Sequence, residues 1–346
     1  MPERGRFVAW WLGPGGQPGP VLRQCLRAAT LAPSVMNTQP WLFQPRPDGV
    51  NVFADRRRQL TIMDPAGREL ALSLGAALCN LRVAILAHGR QPAVLLLPRP
   101  SEPDLMARVQ VGPPVAVRHT VRALAAAIAR RRSNRWPFAP VGIPYEVERA
   151  LVASARAEGA LLRVLPHRAR RRQLELAQIA DEQWRGDPWY RHELGLWTRE
   201  LPNRVDGVTG GAAGPRVAAG GPPLRDLGLV FSSGRRTEEV FERSPTIAVL
   251  CAQDGPEHWL RAGQALERVL LTATVYGLAC TLMTQPLELP QLRPLAADPY
   301  SGLPAQAVIR LGYPRRPAAP SPRRPLASVL YQPADRAPTS IGDRAW

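Results

Sequence analysis

Three groups of residues in this chain have the types and spacing to do chemistry. The segment Ala32-Pro33-Ser34-Val35-Met36-Asn37-Thr38-Gln39-Pro40-Trp41 is a loop fixed by two prolines. It offers Ser34, Asn37 and Gln39, small groups able to donate and accept hydrogen bonds, beside one large aromatic. Such a loop suits a planar heteroaromatic ligand, although Pro, Ser and Asn are also ordinary loop formers. The run Arg130-Arg131-Arg132-Ser133-Asn134-Arg135 gathers guanidinium groups around a serine. Arginine gives charge-assisted, often bidentate hydrogen bonds to anionic oxygens, so this run can cradle a phosphate. Taken alone, a solvated face is the commoner meaning of such a run. Arg323-Arg324-Pro325-Leu326 adds a further pair of cations that means little by itself.

Other signatures fail. Gly13-Pro14-Gly15-Gly16 and the glycines from Gly207 to Gly214 follow no strand and lead to no Gly-Lys-Ser/Thr, so they read as linker and lid. His192-Glu193 lacks the second histidine of a zinc helix, and Ser232-Ser233-Gly234 lacks the flanking glycine of a nucleophile elbow. Neither a metal site nor a hydrolase is expected.

The 346 residues, 45% of them hydrophobic, are enough to fill real cores. The formal charge is +17, and since the chain has no lysine, all 45 basic residues are arginines. With 28 Gly and 38 Pro, this reads first as a compositional bias of the source. A basic surface favours anionic partners, but no helix carries a sustained basic stripe and no nucleic-acid module appears, so nucleic acid is not the expected partner. Cys25, Cys79, Cys251 and Cys280 stand far apart and read as buried free thiols in a reducing compartment. Phe7 to Leu12 is too brief for a secretory segment, and the expected location is cytoplasmic. The stretch Val269 to Leu287 approaches the length of a membrane span, but its threonines, Gly277 and Pro286 favour helix, turn, strand.

The elements that must position the three groups come in two copies. Gly75, Ala77, Leu78, Leu81 and Gly89 match Gly263, Ala265, Leu266, Val269 and Gly277 at one constant offset. Each set marks a long helix with apolar residues three and four apart, closed by a glycine suited to a left-handed cap. An apolar strand follows each: Ala93 to Leu97 and Ala279 to Met283. Arg108 to Pro113 resembles Ile309 to Pro314, and the helix Val21 to Ala29 with the strand Trp41 to Gln44 resembles the helix Val147 to Ala155 with the strand Leu161 to Leu165. Each half thus reads as helix, strand, long helix, strand, strand, an α+β unit. Two such units are expected to pack about a pseudo-twofold axis, with the small residues of the central helices at the contact. The division expected is an N-terminal segment 1–20, a first half 21–117, a second half 118–330 and a tail 331–346. Arg118 to Arg132 forms a basic helix, and an irregular lid insertion lies at about 195–225.

Together the three groups resemble the nitroreductase family, whose members combine an early arginine-serine-arginine motif, an alanine-proline-serine loop ending in asparagine, glutamine, proline and tryptophan, and a C-terminal arginine. The nearest likeness is to its monomeric twin-domain branch, the Acg-type proteins, and spans about residues 20 to 330. Asp55-Arg56, Gln59-Leu60, Asp64-Pro65 and Trp259 to Gly263 add to it. The resemblance implies a nitroreductase-like α+β fold, two tandem half-domains forming a pseudo-dimer, with one FMN between them. Arg131, Arg132 and Ser133 match positions that hold the FMN phosphate and ribityl chain, and Arg135 matches the cation at the flavin N1/O2 edge. Pro33, Ser34, Val35 and Asn37 match the loop that a partner subunit supplies in dimeric relatives. Arg324, with Arg323, matches the C-terminal phosphate contact, and Met283, Thr284 and Gln285 fall where the family's backbone nears the flavin. The first half shows no arginine-serine-arginine start, and the second has Arg156-Ala157-Glu158-Gly159-Ala160 in place of the loop, so one site is expected. Met36 stands where the branch often has histidine, and Thr284 where some dimeric members have an acid. The implied activity is NAD(P)H-dependent two-electron reduction of a nitroaromatic or quinone by a monomer; no catalytic side chain is assigned, the chemistry being the flavin's. A lid-covered FMN store is the alternative reading, and an arginine-rich nucleic-acid binder with a vestigial site is the weaker third.

Overall fold

The computed structural model describes residues 11–13, 16–219, 221–230 and 236–331. Residues 7–10 of the N-terminal apolar run, Pro14-Gly15, Ser232-Ser233-Gly234 and the tail beyond 331 lie outside the described residues.

The apolar spacing of the first helix, α1 (Pro20–Thr30), buries Val21, Leu22, Cys25, Leu26 and Ala29 on one face, and Pro20 opens it where a missing N–H costs nothing. Strands β1 (Trp41–Arg46) and β2 (Gly49–Ala54) follow, then helix α2 (Arg68–Ala87) and strands β3 (Arg90–Leu96) and β4 (Leu105–Pro114). They form an antiparallel sheet in the order β1-β2-β4-β3. After α3 (His119–Ile128) the second half repeats this plan with α4 (Tyr145–Arg156) and β5 (Leu161–Val164). Next come α5 (His167–Gly186), α6 (Pro188–Thr198), α7 (Gly210–Ala213) and the short parallel pair β6 (Arg216–Val217) and β7 (Glu238–Glu239). The plan resumes with β8 (Thr246–Cys251), α8 (Pro256–Val275), β9 (Ala279–Leu282), α9 (Gln285–Glu288) and β10 (Ala305–Gly312). Its sheet runs β5-β8-β10-β9, again antiparallel. The two sheets therefore agree strand for strand, which supports the duplication.

Two sequence expectations need correction. Each half has four strands and not three, because Gly49–Ala54 and Thr246–Cys251 are strands too. The basic helix ends at Ile128, so Arg130 to Arg132 leave it. Beyond it, Ser133 forms a parallel bridge to Cys280. Residues 165–245 occupy the connection from β5 to β8, which in the first half is the tight turn Pro47-Asp48. The predicted lid is the middle of this insertion on a hairpin.

Helices α2 and α8 cross at their glycines. A Cβ on Gly75 would lie 2.8 Å from the Cα of Gly263 and closer still to the carbonyl of Leu260. A Cβ on Gly263 would lie 2.9 Å from the Cα of Gly75 and closer still to the carbonyl of Leu72. The contact is reciprocal, as a twofold axis requires. Gly89 and Gly277, with φ of 71° and 75°, close the two helices in the left-handed conformation. Helix α2 is long and apolar enough to cross a membrane, yet most of it is buried between the halves. All four cysteines are buried and free.

Gly75→Ala should lower the unfolding free energy by about 1–3 kcal/mol through overpacking, measured as a shifted denaturant midpoint. Gly186→Ala, whose Cβ meets open space, should leave it nearly unchanged.

Candidate functional site

The loop after α1 is built against its own backbone preference. Met36, Asn37 and Gln39 have φ of 46°, 54° and 52°, the left-handed region that bulky residues avoid. Surrounding bonds enforce it. Ser34 Oγ accepts from the Gln39 N–H at 2.9 Å, and the Val35 N–H donates to Ser73 Oγ of α2 at 3.3 Å. Asn37 Nδ2 donates to the carbonyls of Gly207 at 2.9 Å and Pro322 at 3.1 Å, while its Oδ1 accepts from Arg323 at 3.0 Å. Gln39 Nε2 donates to the Val205 carbonyl at 2.9 Å. Asn37 and Gln39 thus clamp the lid and the tail, and Pro33, Ser34, Val35 and Met36 border a cleft.

That cleft is narrow, with about 80 Å³ of accessible space. Glu69, Leu72, Ser73 and Ala76 form one wall on a single face of α2. The second half supplies Ser133, Arg135, Leu266, Leu282 and Thr284, and the insertion supplies Arg225 and Leu227. Ser133 is positioned by its bridge to Cys280, and the Asn134 N–H donates to the Cys280 carbonyl at 2.8 Å. Arg135 donates to the Ala212 carbonyl of the insertion at 2.7 Å, and burial next to Arg225 pulls its guanidinium down to about 10. Arg225 in turn donates to Glu288 Oε1 at 2.5 Å, Tyr190 Oη at 3.0 Å and Thr284 Oγ1 at 3.3 Å.

A cluster of cations, Arg131 buried and Arg132 and Arg323 partly so, lies at the C-terminal end of α1. Arg323 donates to the carbonyls of Thr30, Leu31 and Ala32 at 2.8, 3.1 and 3.2 Å, and Arg131 donates to the Leu31 carbonyl at 2.9 Å. Arg132 turns back to the Arg131 carbonyl at 2.7 Å. Burial, then repulsion from Arg131 and Arg132, pushes Arg323 down to about 9. The carboxylate beside them is Glu267 of α8, 3.4 Å from Arg131 Nε, and burial drives it up to about 7 despite Arg131. Arg131 Nε and both Glu267 oxygens are buried with no well-formed hydrogen bond, the nearest donors to Glu267 being Arg131 and Asn80. Three arginines against one reluctant carboxylate form a cradle with positive charge to spare, which fits a phosphate.

The remaining predicted residues fall elsewhere. Arg324 donates to the Gln39 and Ser328 carbonyls and faces Asp55 at 3.7 Å, so it braces the loop from behind. Met283 packs in the core beneath the insertion, and Gln285 is fully buried with Nε2 turned 3.4 Å from the Pro223 carbonyl. Sequence reasoning missed Glu69, Leu72, Ser73 and Ala76, whose three- and four-residue spacing puts them on one helical face. It also missed Leu266, Leu282, Arg225 and Leu227.

No family model matches the chain. Nearly full-length relatives do. A Mycobacterium tuberculosis (strain H37Rv) protein named "Putative NAD(P)H nitroreductase acg" is 31% identical over 320 residues, covering 90% of this chain and 95% of that protein. The chain belongs to the nitroreductase family. It falls in the twin-domain, Acg-type branch, as the doubled α+β plan requires. A second protein of that strain, also named as a putative NAD(P)H nitroreductase, is 32% identical over 336 residues, 91% of this chain and 92% of that protein. Among solved structures, a putative nitroreductase from Anabaena variabilis covers 82% of each chain at 10% identity and a TM-score of 0.41.

Glu267 gives this nitroreductase a pH signature. An acid held near 7 when folded and near 4.5 when unfolded keeps more protons in the native state between those values, so native stability falls as pH rises through that window. Unfolding measured from about pH 5 to 8 should show this fall, and Glu267→Gln should make it smaller. An unchanged slope would place Glu267 in an environment that leaves it charged.

Proposed function

We propose that the cleft binds FMN and that the protein is an NAD(P)H-dependent oxidoreductase reducing flat acceptors of the nitroaromatic or quinone type. The observation that carries this reading is the cluster of Arg131, Arg132 and Arg323, its positive charge in excess of the one carboxylate beside it, next to a cleft walled by both halves. The names of the relatives support the nicotinamide and the reaction class. Bound there, the flavin would supply two-electron transfer between a dihydronicotinamide and the acceptor.

The side chains bind, orient and exclude water. Arg131, Arg132 and Arg323 hold the phosphate, and Ser133, which borders the cleft, holds the ribityl chain. Arg135 remains a cation at neutral pH and serves the N1/O2 edge, where it favours an anionic reduced ring. Pro33, Ser34, Val35, Leu282 and Thr284 frame the ring, with Leu227 over the cleft. Because one chain supplies every wall, the functional unit is a monomer, acting in the cytoplasm on small molecules.

A specific observation also favours the storage reading. The insertion is tied to both halves, through Asn37 to Gly207, Arg58 to Asp206 at 2.8 Å, and the buried Arg225 to Glu288 pair. Such a lid restricts traffic to the cleft.

The visible spectrum of purified protein, before and after anaerobic NADPH and NADH, separates the readings. A flavin band that bleaches is the expected result. A band that persists would favour storage, and no band even after added FMN would sink the flavin assignment. Arg323→Gln should weaken FMN binding by about 10- to 100-fold, since hydrogen bonds to charged groups are worth about 1.5–3 kcal/mol, measured by fluorescence titration.

A further inference from the structure

A second cavity of about 510 Å³ adjoins the cleft, between the Asp64 to Glu69 segment of the first half and the Leu287 to Pro304 segment of the second. Glu69 borders both. Across the same wall, Arg225 of the cleft is paired with Glu288 of the second cavity. Glu69 is the carboxyl group that lines each of them.

Its surroundings hold Glu69 in place while leaving part of it available. Asp64 receives the Glu69 and Leu70 N–H groups at 3.0 and 2.8 Å, capping α2 and fixing where the helix begins. Arg68 pairs with Oε1 of Glu69 and is itself tethered to the Gln306 carbonyl at 2.8 Å. No described residue donates a hydrogen bond to the second oxygen of Glu69. Glu69 is only 6% exposed, and Leu72, Ser73 and Ala76 continue its helical face along the cleft.

We propose that Glu69 is the proton donor for reduction of the acceptor, reloaded from water in the second cavity. The proposal rests on the reading of the cleft as a flavin site. A benzoquinone that gains a hydride equivalent, two electrons and one proton drawn ultimately from the dihydronicotinamide, still needs a second proton on its other oxygen. The O–H bond of the Glu69 acid breaks as that acceptor O–H bond forms, giving a hydroquinone and a carboxylate. The carboxylate then takes a proton from water on its other side. A donor of this kind is most useful when its acid form persists near working pH. Burial raises Glu69 to about 7, Asp64 and Glu288 push the same way, and Arg68 and Arg225 oppose them. Glu69 thus carries its proton below about 7 and loses it above, so acceptor reduction falls as pH rises through that point.

The test compares wild-type protein with Glu69→Gln, both loaded with FMN. Oxidation of the reduced protein by benzoquinone is followed by stopped flow from about pH 5.5 to 8.5. Wild type should show a rate that declines around neutrality. Glu69→Gln should lose that inflection and, at the acidic end, about 100-fold in rate, a larger loss than in reduction by NADPH. Infrared titration of flavin-free wild type gives a readout apart from turnover: a carboxylic-acid band that disappears near neutral pH and is absent from Glu69→Gln. Glu69→Asp, which keeps the acid but draws it back, should retain the inflection at a lower rate. A loaded Glu69→Gln with the wild-type rate and pH profile overturns the proposal and leaves the flavin reading intact. So does an infrared titration in which no band is lost with the substitution. Wild type that takes up no FMN overturns both.

Discussion

The reciprocal contact of Gly75 with Gly263 is the constraint on which the rest of the structure depends. Each glycine receives the other helix's backbone where a side chain would have stood. Backbones that approach so closely bring the apolar faces of α2 and α8 into continuous contact, and that burial joins two small sheets into one protein. The crossing also fixes what lies on its rim. Leu72, Ser73 and Ala76 on α2 and Leu266 on α8 are within a turn or so of the glycines and all border the cleft. The site is a by-product of the crossing: wherever two helices diverge from a tight contact, a wedge opens between the elements they carry.

Around that wedge the charges are arranged in opposition to their own solvation. Arg131, Arg135, Arg225 and Arg323 are withdrawn from water, as are Glu69, Glu267 and Glu288. Desolvation penalises every one of them, and the pairings differ in how far they offset it. Arg225 with Glu288 is closely matched, with Tyr190 and Thr284 completing the guanidinium's bonds. Arg323 is not, since backbone carbonyls satisfy its hydrogen bonds without cancelling its charge. The lid is therefore anchored by a matched pair, while the charge of Arg323 at the end of α1 is left unmatched. A fold that only needed stability would show the reverse.

Much of this was legible in the sequence. The repeat survives as residue identities because glycines at a crossing and at a left-handed helix end admit no substitute, so Gly75, Gly89, Gly263 and Gly277 keep their spacing. The strands β2 and β8 were missed, although Pro47-Asp48-Gly49 is a hairpin signal before β2; no such signal leads into β8, whose hairpin is interrupted by the insertion. Loop 33–37 and the arginine run, each ambiguous alone, stood out because they occur together with the C-terminal arginine pair. Glu69 and Ser73 did not, because one acid and one serine in an apolar helix look like ordinary tolerance until the helix has a partner and a cleft beside it. Nor could sequence decide between Arg323 and Arg324. Adjacent residues in an extended tail point opposite ways, and only the position of α1 determines which of them meets Arg131.

The same offset that exposes the duplication explains why it yields one site. The counterpart of Glu69 is Glu257, half exposed and paired with Arg261 on its own helix, and Arg261 is the counterpart of Ser73. The counterpart of Glu267, beside Arg131, is Cys79. Where the second copy of the loop would face the crossing stands Glu158, bonded to Arg82 of α2 at 2.6 Å and to Arg268 of α8 at 2.8 Å. Arg82 also donates to Gln264 at 2.8 Å, the counterpart of Ala76. Large charged side chains thus fill the wedge on one side of the axis, while on the other Ser73 and Ala76 leave it open between Glu69, Arg135 and Arg225. The crossing must remain symmetric, because two glycines serve each other. The rims carry no such obligation, and once the halves shared a chain each could change alone, one to close with ion pairs and the other to gain a lid.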